Sequence, residues 1–201
     1  MSQILRDARR YEEINEKKIK TEERPRFHLS ARVGWMNDPN GFSYYNGSYH
    51  MFYQYHPYNS HWGPMHWGHA VSTDLLHWTY LPAALAPDQA YDAAGCFSGS
   101  ALALPDGRQL LMYTGVHRED DCGIMRDVQT QCLAVGDGTD YEKYGANPVL
   151  DETDLPEGNS KFDFRDPKMW QRADGSFRCV VGNCVGERDG QVLLFGSPDG
   201  F

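Results

Sequence analysis

The sequence predicts an all-β fold, a partial β-propeller of about three blades that follows a short N-terminal helix. The first observation behind this prediction is a set of three hairpin signals, in which short aromatic and β-branched runs flank a tight turn. The turns are Asn46-Gly47, Asp106-Gly107 and Asp174-Gly175. These dipeptides favour hairpins because Asn, Asp and Gly tolerate the positive φ that a tight turn demands.

The second observation is the spacing of these turns. A segment containing Asp74, Asp140 or Asp199 recurs after each hairpin, so the whole pattern repeats with a period in the sixties. Such a unit holds enough chain for the four strands of a propeller blade with long connections. A β-sandwich would place turn signals at shorter intervals without this recurrence. Three units are too few to close a ring, so we expect an incomplete propeller whose exposed strand edge promotes self-association.

Residues 1–24 differ in composition from the rest of the chain and are expected to form a charged N-terminal helix or arm. Ile4, Ala8 and Tyr11 follow the i, i+4, i+7 spacing of an amphipathic helix that packs on the domain surface. A frayed charged arm is the alternative. Residues 25–201, in which Gly and Pro punctuate short apolar runs, are expected to form the incomplete propeller domain.

Composition excludes several classes of function. The chain has 28 acidic and 19 basic residues and a formal net charge of −9, which would repel the phosphates of nucleic acid. No long apolar run predicts a membrane span. The five cysteines form no Cys-x-x-Cys pair, and His61, His66 and His69 match no common zinc spacing, so neither a metal nor another cofactor is expected. Free thiols and an N-terminus without an apolar segment favour a cytoplasmic location.

The blade register singles out three polar residues. Asp38, Ser98 and Asp166 each lie eight residues before a hairpin turn, so they occupy equivalent places in three blades. The innermost strands of a propeller line a central channel, and equivalent residues therefore converge near one end of its axis. Two carboxylates brought together in a cleft with aromatic side chains are what glycoside hydrolysis requires. The alternative is that both aspartates only cap local turns.

Three motifs carry a resemblance to a known family. Trp35–Gly41 reads W-M-N-D-P-N-G, Phe97–Ser100 reads F-S-G-S and Arg165–Pro167 reads R-D-P. In this order they resemble the motifs of glycoside hydrolase family 32, the β-fructofuranosidases. The resemblance implies a five-bladed propeller followed by a β-sandwich, and a small fructosyl-containing carbohydrate as the substrate. The later blades and the sandwich have no counterpart in this sequence.

The resemblance also implies roles for matching residues. Asp38 would be the nucleophile of a retaining double displacement, and Asp166 would hold the fructosyl hydroxyls and stabilise the positive charge of the transition state. Arg165 would hydrogen-bond the substrate, although a surface salt bridge is the alternative for this residue. Trp62 would line the pocket, or else be a core indole. The remaining substrate-binding residues implied by the resemblance are Asn37, which would also position the neighbouring carboxylate, Gln54, Phe97 and Ser98.

One catalytic part is missing from the sequence. The family's general acid is a Glu in an E-C-P motif, which does not occur here, and Glu187 does not match it. We therefore expect a hydrolase of sucrose, sucrose 6-phosphate or fructans whose 201-residue chain is inactive or nearly so. Two other functions stay open at this point, an inverting arabinofuranosidase on a related five-bladed propeller and a non-catalytic sugar-binding propeller.

Overall fold

The computed structural model describes residues 1–186 and 189–201, so Glu187 lies outside the described residues. A helix α1 (Gln3–Asn15) precedes a chain of antiparallel strands. The strands are β1 Trp35–Tyr45, β2 Ser48–His56, β3 His66–Ser72, β4 Thr79–Leu85, β5 Gly95–Ala103, β6 Gln109–Asp121, β7 Ile124–Gly136, β8 Tyr141–Lys143, β9 Arg165–Gln171, β10 Phe177–Val185 and β11 Asp189–Ser197. Short 3-10 helices cover Glu16–Lys18, Thr21–Glu23, Ala90–Asp92 and Glu152–Asp154. In the described residues, no helix is long and apolar enough to cross a membrane.

The strands form three antiparallel sheets in chain order. The first sheet is β1-β2-β3-β4, the second is β5-β6-β7-β8, and the third is β9-β10-β11 with β11 at its outer edge. We call these sheets blades 1, 2 and 3. In each blade the first strand contacts the first strand of the next, as β1 with β5 and β5 with β9. The predicted fold class, an all-β partial propeller of about three blades with a short N-terminal helix, is confirmed.

The three predicted hairpin turns connect the first and second strands of the blades. In blade 1 both Asn46 (φ 48°) and Gly47 (φ 80°) have the positive φ of a two-residue hairpin turn. Blades 2 and 3 use longer turns, in which the N–H groups of Gly107 and Gly175 donate to the carbonyls of Leu104 and Arg172, each at 3.0 Å. The dipeptides thus mark equivalent positions, with a different turn geometry in blade 1.

The second recurring segment follows the third strand of each blade. Ser72 and Ser197 each accept hydrogen bonds from the backbone two and three residues further on, which folds the chain back. In blade 2 the carboxylate of Asp137 makes the equivalent hydrogen bonds, accepting from the N–H groups of residues 139 and 140, each at 2.9 Å. The alignment of Asp140 with the turn aspartates is therefore wrong. Asp140 pairs instead with Arg9 of the helix at 2.6 Å.

Apolar side chains between the blades form the core. Phe52, Trp67 and Tyr113 are fully buried between blades 1 and 2. Phe164 and Val181 are fully buried in the cluster between blades 2 and 3. Burying a side chain of this size contributes about 1.5–3 kcal/mol, so the two interfaces hold the inner strands side by side.

The helix α1 packs on blade 1 through a face one residue away from the predicted one. Leu5, Ala8 and Glu12 are buried, whereas Ile4 is 45% exposed. The expectation that Ile4 belongs to the packed face is wrong, because the i, i+3, i+7 row from Leu5 points toward the sheet. Tyr11 is half-buried, and its ring meets that of Tyr58 edge to face at 5.1 Å.

Glu12 is a fully buried carboxylate at this helix–sheet contact. Its Oε2 accepts a hydrogen bond from the Ala83 N–H at 3.1 Å and lies 3.5 Å from Arg32 Nη1. Burial raises the pKa of the Glu12 carboxyl to about 7, against the hydrogen bond from Ala83 and the charge of Arg32, which lower it. The helix is thus attached to the domain through a group that titrates near neutral pH.

We expect Glu12→Gln to remove a pH dependence of stability. A folded-state pKa raised from 4.5 to about 7 means that the folded chain binds this proton more tightly. The resulting stabilisation is present below pH 4.5 and is lost as the pH rises to about 7. The unfolding free energy of wild type relative to Glu12→Gln should fall by on the order of 3 kcal/mol across this window. Urea unfolding on both sides of the window measures it.

The matched control is Glu13→Gln, which changes an exposed glutamate of the same helix. This variant should keep the pH dependence of wild type. An equal pH dependence in the Glu12→Gln protein would contradict the titration of Glu12 in the folded state.

Candidate active site

The inner strands of the three blades place the three register residues around one cavity. Asp38 lies on β1, Ser98 on β5 and Asp166 on β9, and the Ser98 hydroxyl donates to Asp38 Oδ2 at 3.2 Å. The cavity has a volume of about 300 Å³. Its lining residues are Asn37, Asp38, Gln54, Trp62, Met65, Phe97, Ser98, Gln129, Arg165 and Asp166. All eight residues named from the sequence as site residues therefore line the same cavity.

A bulge at the same point of each inner strand aims these side chains inward. The pairing of β1 with β2 shifts between Met36 and Pro39, and that of β5 with β6 shifts between Phe97 and Gly99. The pairing of β9 with β10 shifts opposite the segment from 180 to 182. In each case the inner strand has one residue more than its partner, and such bulges bend a strand and re-aim its side chains. Asp38, Ser98 and Asp166 all lie in these bulged segments.

The two carboxylates interact electrostatically. Protein atoms around Asp166 disfavour its charged form and raise the pKa of its carboxyl; the nearby negative charge of Asp38 acts in the same direction, whereas Arg165 opposes it. The side chain of Asp166 is nevertheless 61% exposed and open to the cavity. A ligand in the cavity thus meets two acidic groups, one of which accepts the hydrogen bond of Ser98.

Arg165 has two acidic neighbours. Its Nη1 lies 3.0 Å from Asp163 Oδ1, and its Nε lies 3.9 Å from Asp166 Oδ2. The closer pair is a half-exposed salt bridge, as the alternative interpretation expected, and such pairs contribute little to stability. The same guanidinium lines the cavity. Arg165 therefore forms a surface salt bridge and also presents donors to the site.

Blade 1 holds the inner strand of blade 2 by side-chain hydrogen bonds. Gln54 is buried opposite the bulged segment of β1, and its Nε2 donates to the Cys96 carbonyl at 3.0 Å. The indole of Trp67 donates to the Phe97 carbonyl, also at 3.0 Å. Gln54 thus contacts the cavity and also fixes the strand that carries Ser98.

Aromatic side chains form one wall of the cavity. Trp62 is 52% exposed and meets Phe97 edge to face, with ring centroids 6.3 Å apart. The alternative that Trp62 is a core indole is therefore wrong. Asn37 Oδ1 accepts a hydrogen bond from the Trp35 indole at 2.9 Å, and the positioning of the neighbouring carboxylate by Asn37 stays a prediction.

Two lining residues, Met65 and Gln129, were not identified from the sequence. Met65 forms an isolated bridge with Gly95, and Gln129 is a buried residue of β7 whose Oε1 accepts from the Phe164 N–H at 2.8 Å. Neither lies on an inner strand, so the blade register gave no signal for them. In the described residues, no group of three or more metal-ligating side chains is present. Of the three histidines considered for metal binding, His66 and His69 are buried, and His61 is exposed.

Comparison with known proteins gives a consistent result. Residues 28–201 match the family model of the glycosyl hydrolases family 32 N-terminal domain. A raffinose invertase and a sucrose-6-phosphate hydrolase of Escherichia coli are 51% and 48% identical over 175 residues, each covering 85% of this chain. The chain spans only 34% of either relative, about a third of their length.

Solved structures agree with the sequence comparison. The β-fructofuranosidase of Bombyx mori superimposes with a TM-score of 0.83 and 42% identity, covering 96% of this chain and 39% of that one. A sucrose-6-phosphate hydrolase of Lactobacillus gasseri superimposes with a TM-score of 0.77 and 35% identity, over 98% of this chain and 38% of that one. With its motifs, blades and cavity, this chain belongs to glycosyl hydrolase family 32 and carries that family's N-terminal domain.

Proposed function

We propose that the protein hydrolyses terminal β-D-fructofuranosyl bonds of sucrose, sucrose 6-phosphate or fructans by a retaining mechanism. The observation that supports this most directly is the pair of carboxylates, Asp38 and Asp166, on one cavity with the Ser98 hydroxyl bonded to Asp38. A variant of the Bombyx mori β-fructofuranosidase has been solved in complex with sucrose, which supports a fructosyl substrate. Family membership favours this function over an arabinofuranosidase.

In this proposal Asp38 is the nucleophile. One oxygen of its carboxylate attacks the anomeric carbon of the fructosyl unit, the bond to the leaving-group oxygen breaks, and a covalent fructosyl-enzyme forms. The Ser98 hydroxyl holds Oδ2 of this carboxylate in place. Asp166 and Arg165 bind fructosyl hydroxyls, and the charge of Asp166 stabilises the positive charge that develops on the ring.

The proposal requires an acid that this chain does not supply. The leaving oxygen must take up a proton, and general acid catalysis contributes typically about 10²–10⁴-fold to such reactions. No Glu-Cys-Pro sequence occurs in these 201 residues. We therefore propose that the 201-residue chain by itself hydrolyses sucrose very slowly, and that full activity needs residues outside this sequence.

The cellular setting is part of the same proposal. The cysteines of the described residues are free thiols, which suits a reducing cytoplasm. Curated relatives include bacterial sucrose-6-phosphate hydrolases and also a vacuolar acid β-fructofuranosidase of rose. A cytoplasmic enzyme would act on an imported sugar, which favours sucrose 6-phosphate as the substrate.

A fructosyl donor with an activated leaving group should label Asp38. A fructosyl fluoride releases fluoride without protonation, so the missing acid does not prevent formation of the covalent intermediate. Hydrolysis of this intermediate is slow without a general base, so the intermediate should accumulate. We expect intact-protein mass spectrometry to show one added fructosyl unit, and peptide mapping to place it on Asp38.

The Asp38→Ala chain is the control for this labelling and should gain no mass. A label on another residue would contradict the assignment of the nucleophile. Rapid turnover of unmodified sucrose by the 201-residue chain would contradict the proposal that it lacks its general acid.

The two carboxylates should differ in their effect on binding. Asp166→Ala is expected to weaken fructose binding by about tenfold or more, because it removes charged hydrogen bonds to the sugar hydroxyls. Asp38→Ala should change the affinity only about threefold, because Asp38 acts mainly in bond formation. Calorimetric titration with fructose measures both, with Asp174→Ala, a turn residue of blade 3, as the control. Equal losses in the Asp38 and Asp166 variants would contradict these separate roles.

The outer edge of blade 3 is proposed as a surface for self-association. In the described residues β11 is an edge strand, and its Val192 and Leu194 side chains are 67% and 66% exposed. Unpaired strand edges with apolar side chains promote pairing between chains. We expect sedimentation to show oligomers that Val192→Lys combined with Leu194→Lys disrupts. A monomer at all concentrations before substitution would contradict this surface.

A further inference from the structure

Asp166 has an unusual backbone conformation for a non-glycine residue. Its φ is +61°, in the left-handed region where the Cβ of an L-residue crowds the backbone. Such conformations persist only when the surrounding structure holds them, and they concentrate at functional sites. The conformation of Asp166 therefore needs partners outside the residue itself.

The Asp166 N–H donates to the hydroxyl of Thr114 at 3.2 Å. Thr114 lies on β6 of blade 2 and is fully buried, so this bond joins the inner strand of blade 3 to the middle of the neighbouring blade. The hydroxyl uses its own proton elsewhere, donating to Oε1 of Gln131 at 3.0 Å. Gln131 is the residue paired with Thr114 across β6 and β7, and it is also fully buried.

The chain of hydrogen bonds returns to the residue just before the strand that carries Asp166. The Nε2 of Gln131 donates to the Phe164 carbonyl at 2.6 Å. Reversing the Gln131 amide would place its carbonyl oxygen against that of Phe164, so the polar groups fit in one orientation only. Thr114 and Gln131 thus hold the chain on both sides of Arg165, at 164 and at 166, with each donor matched to an acceptor.

We propose that Thr114 is a positioning residue that keeps the Asp166 carboxylate directed into the cavity. Without its hydroxyl the Asp166 N–H loses its acceptor, the left-handed backbone is no longer favoured, and the carboxylate leaves the geometry in which it faces Asp38. Because the site itself is a proposal, the inference that Thr114 affects sugar binding rests on the proposed function. The inference that Thr114 holds the Asp166 backbone is independent of the proposed function.

Thr114→Val tests this role because valine keeps the branched shape and removes the hydroxyl. Thr114→Ser keeps a hydroxyl at this position, and Thr114→Ala removes both the hydroxyl and the methyl group. The matched control is Thr130→Val, since Thr130 is also buried in blade 2 but its hydroxyl donates to the Gly115 carbonyl. Two readouts are used, hydrogen exchange of the Asp166 amide by NMR and calorimetric titration with fructose.

We expect Asp166 amide exchange to accelerate and fructose affinity to fall, each by about tenfold, in Thr114→Val and Thr114→Ala. Thr114→Ser and Thr130→Val should resemble the unmodified chain in both readouts. In an Asp166→Ala background, Thr114→Val should cause no further loss of affinity.

Unchanged amide exchange and fructose affinity in Thr114→Val would overturn the proposal. If both hydroxyl-free variants unfold while Thr130→Val folds, Thr114 is a structural residue and the positioning role is likewise overturned. If the unmodified chain binds no fructose, the proposed function fails, and Asp166 amide exchange still decides whether Thr114 holds this backbone.

Discussion

The candidate site depends on a one-residue bulge that recurs in the inner strand of every described blade. A regular strand alternates its side chains between two faces, both of which are covered in a propeller by neighbouring blades. The extra residue interrupts this alternation at the end of the strand that faces the cavity. Asp38, Ser98 and Asp166 gain their direction from this interruption. The same local irregularity, repeated by the blade symmetry, gathers three side chains that are far apart in sequence.

Side chains of the neighbouring blade hydrogen-bond to backbone groups in or beside the bulged segments. Gln54 and Trp67 of blade 1 donate to the carbonyls at 96 and 97, in the bulged strand of blade 2. In blade 2 the Thr114 hydroxyl accepts from the Asp166 N–H of blade 3, and Gln131 donates to the carbonyl at 164, just before that strand. Burying a polar group without a hydrogen-bond partner costs free energy, so these side chains stabilise the backbone groups to which they bond. Blades 1 and 2 thus each hold the inner strand of the blade that follows.

Much of the fold follows from local chemistry that is visible in the sequence. The Asn-Gly and Asp-Gly dipeptides mark the first hairpin of each blade, because positive φ restricts the residues that a tight turn accepts. The eight-residue interval from each turn to Asp38, Ser98 and Asp166 predicts their shared cavity, since equal register in repeated units means equal position. The buried face of the helix differs by one residue from the predicted face, because the surface that it contacts on blade 1 is created by long-range packing.

The sequence by itself determined the blades, their hairpins and the inner-strand residues that line the cavity, because these depend on turn chemistry and on a repeat that can be counted. Only the tertiary structure decided how these residues are held. The buried carboxylate of Glu12 and the pair Thr114–Gln131 join groups that no period relates. Their partners lie on other elements, and burial, which makes such contacts strong, exists only after the blades have packed.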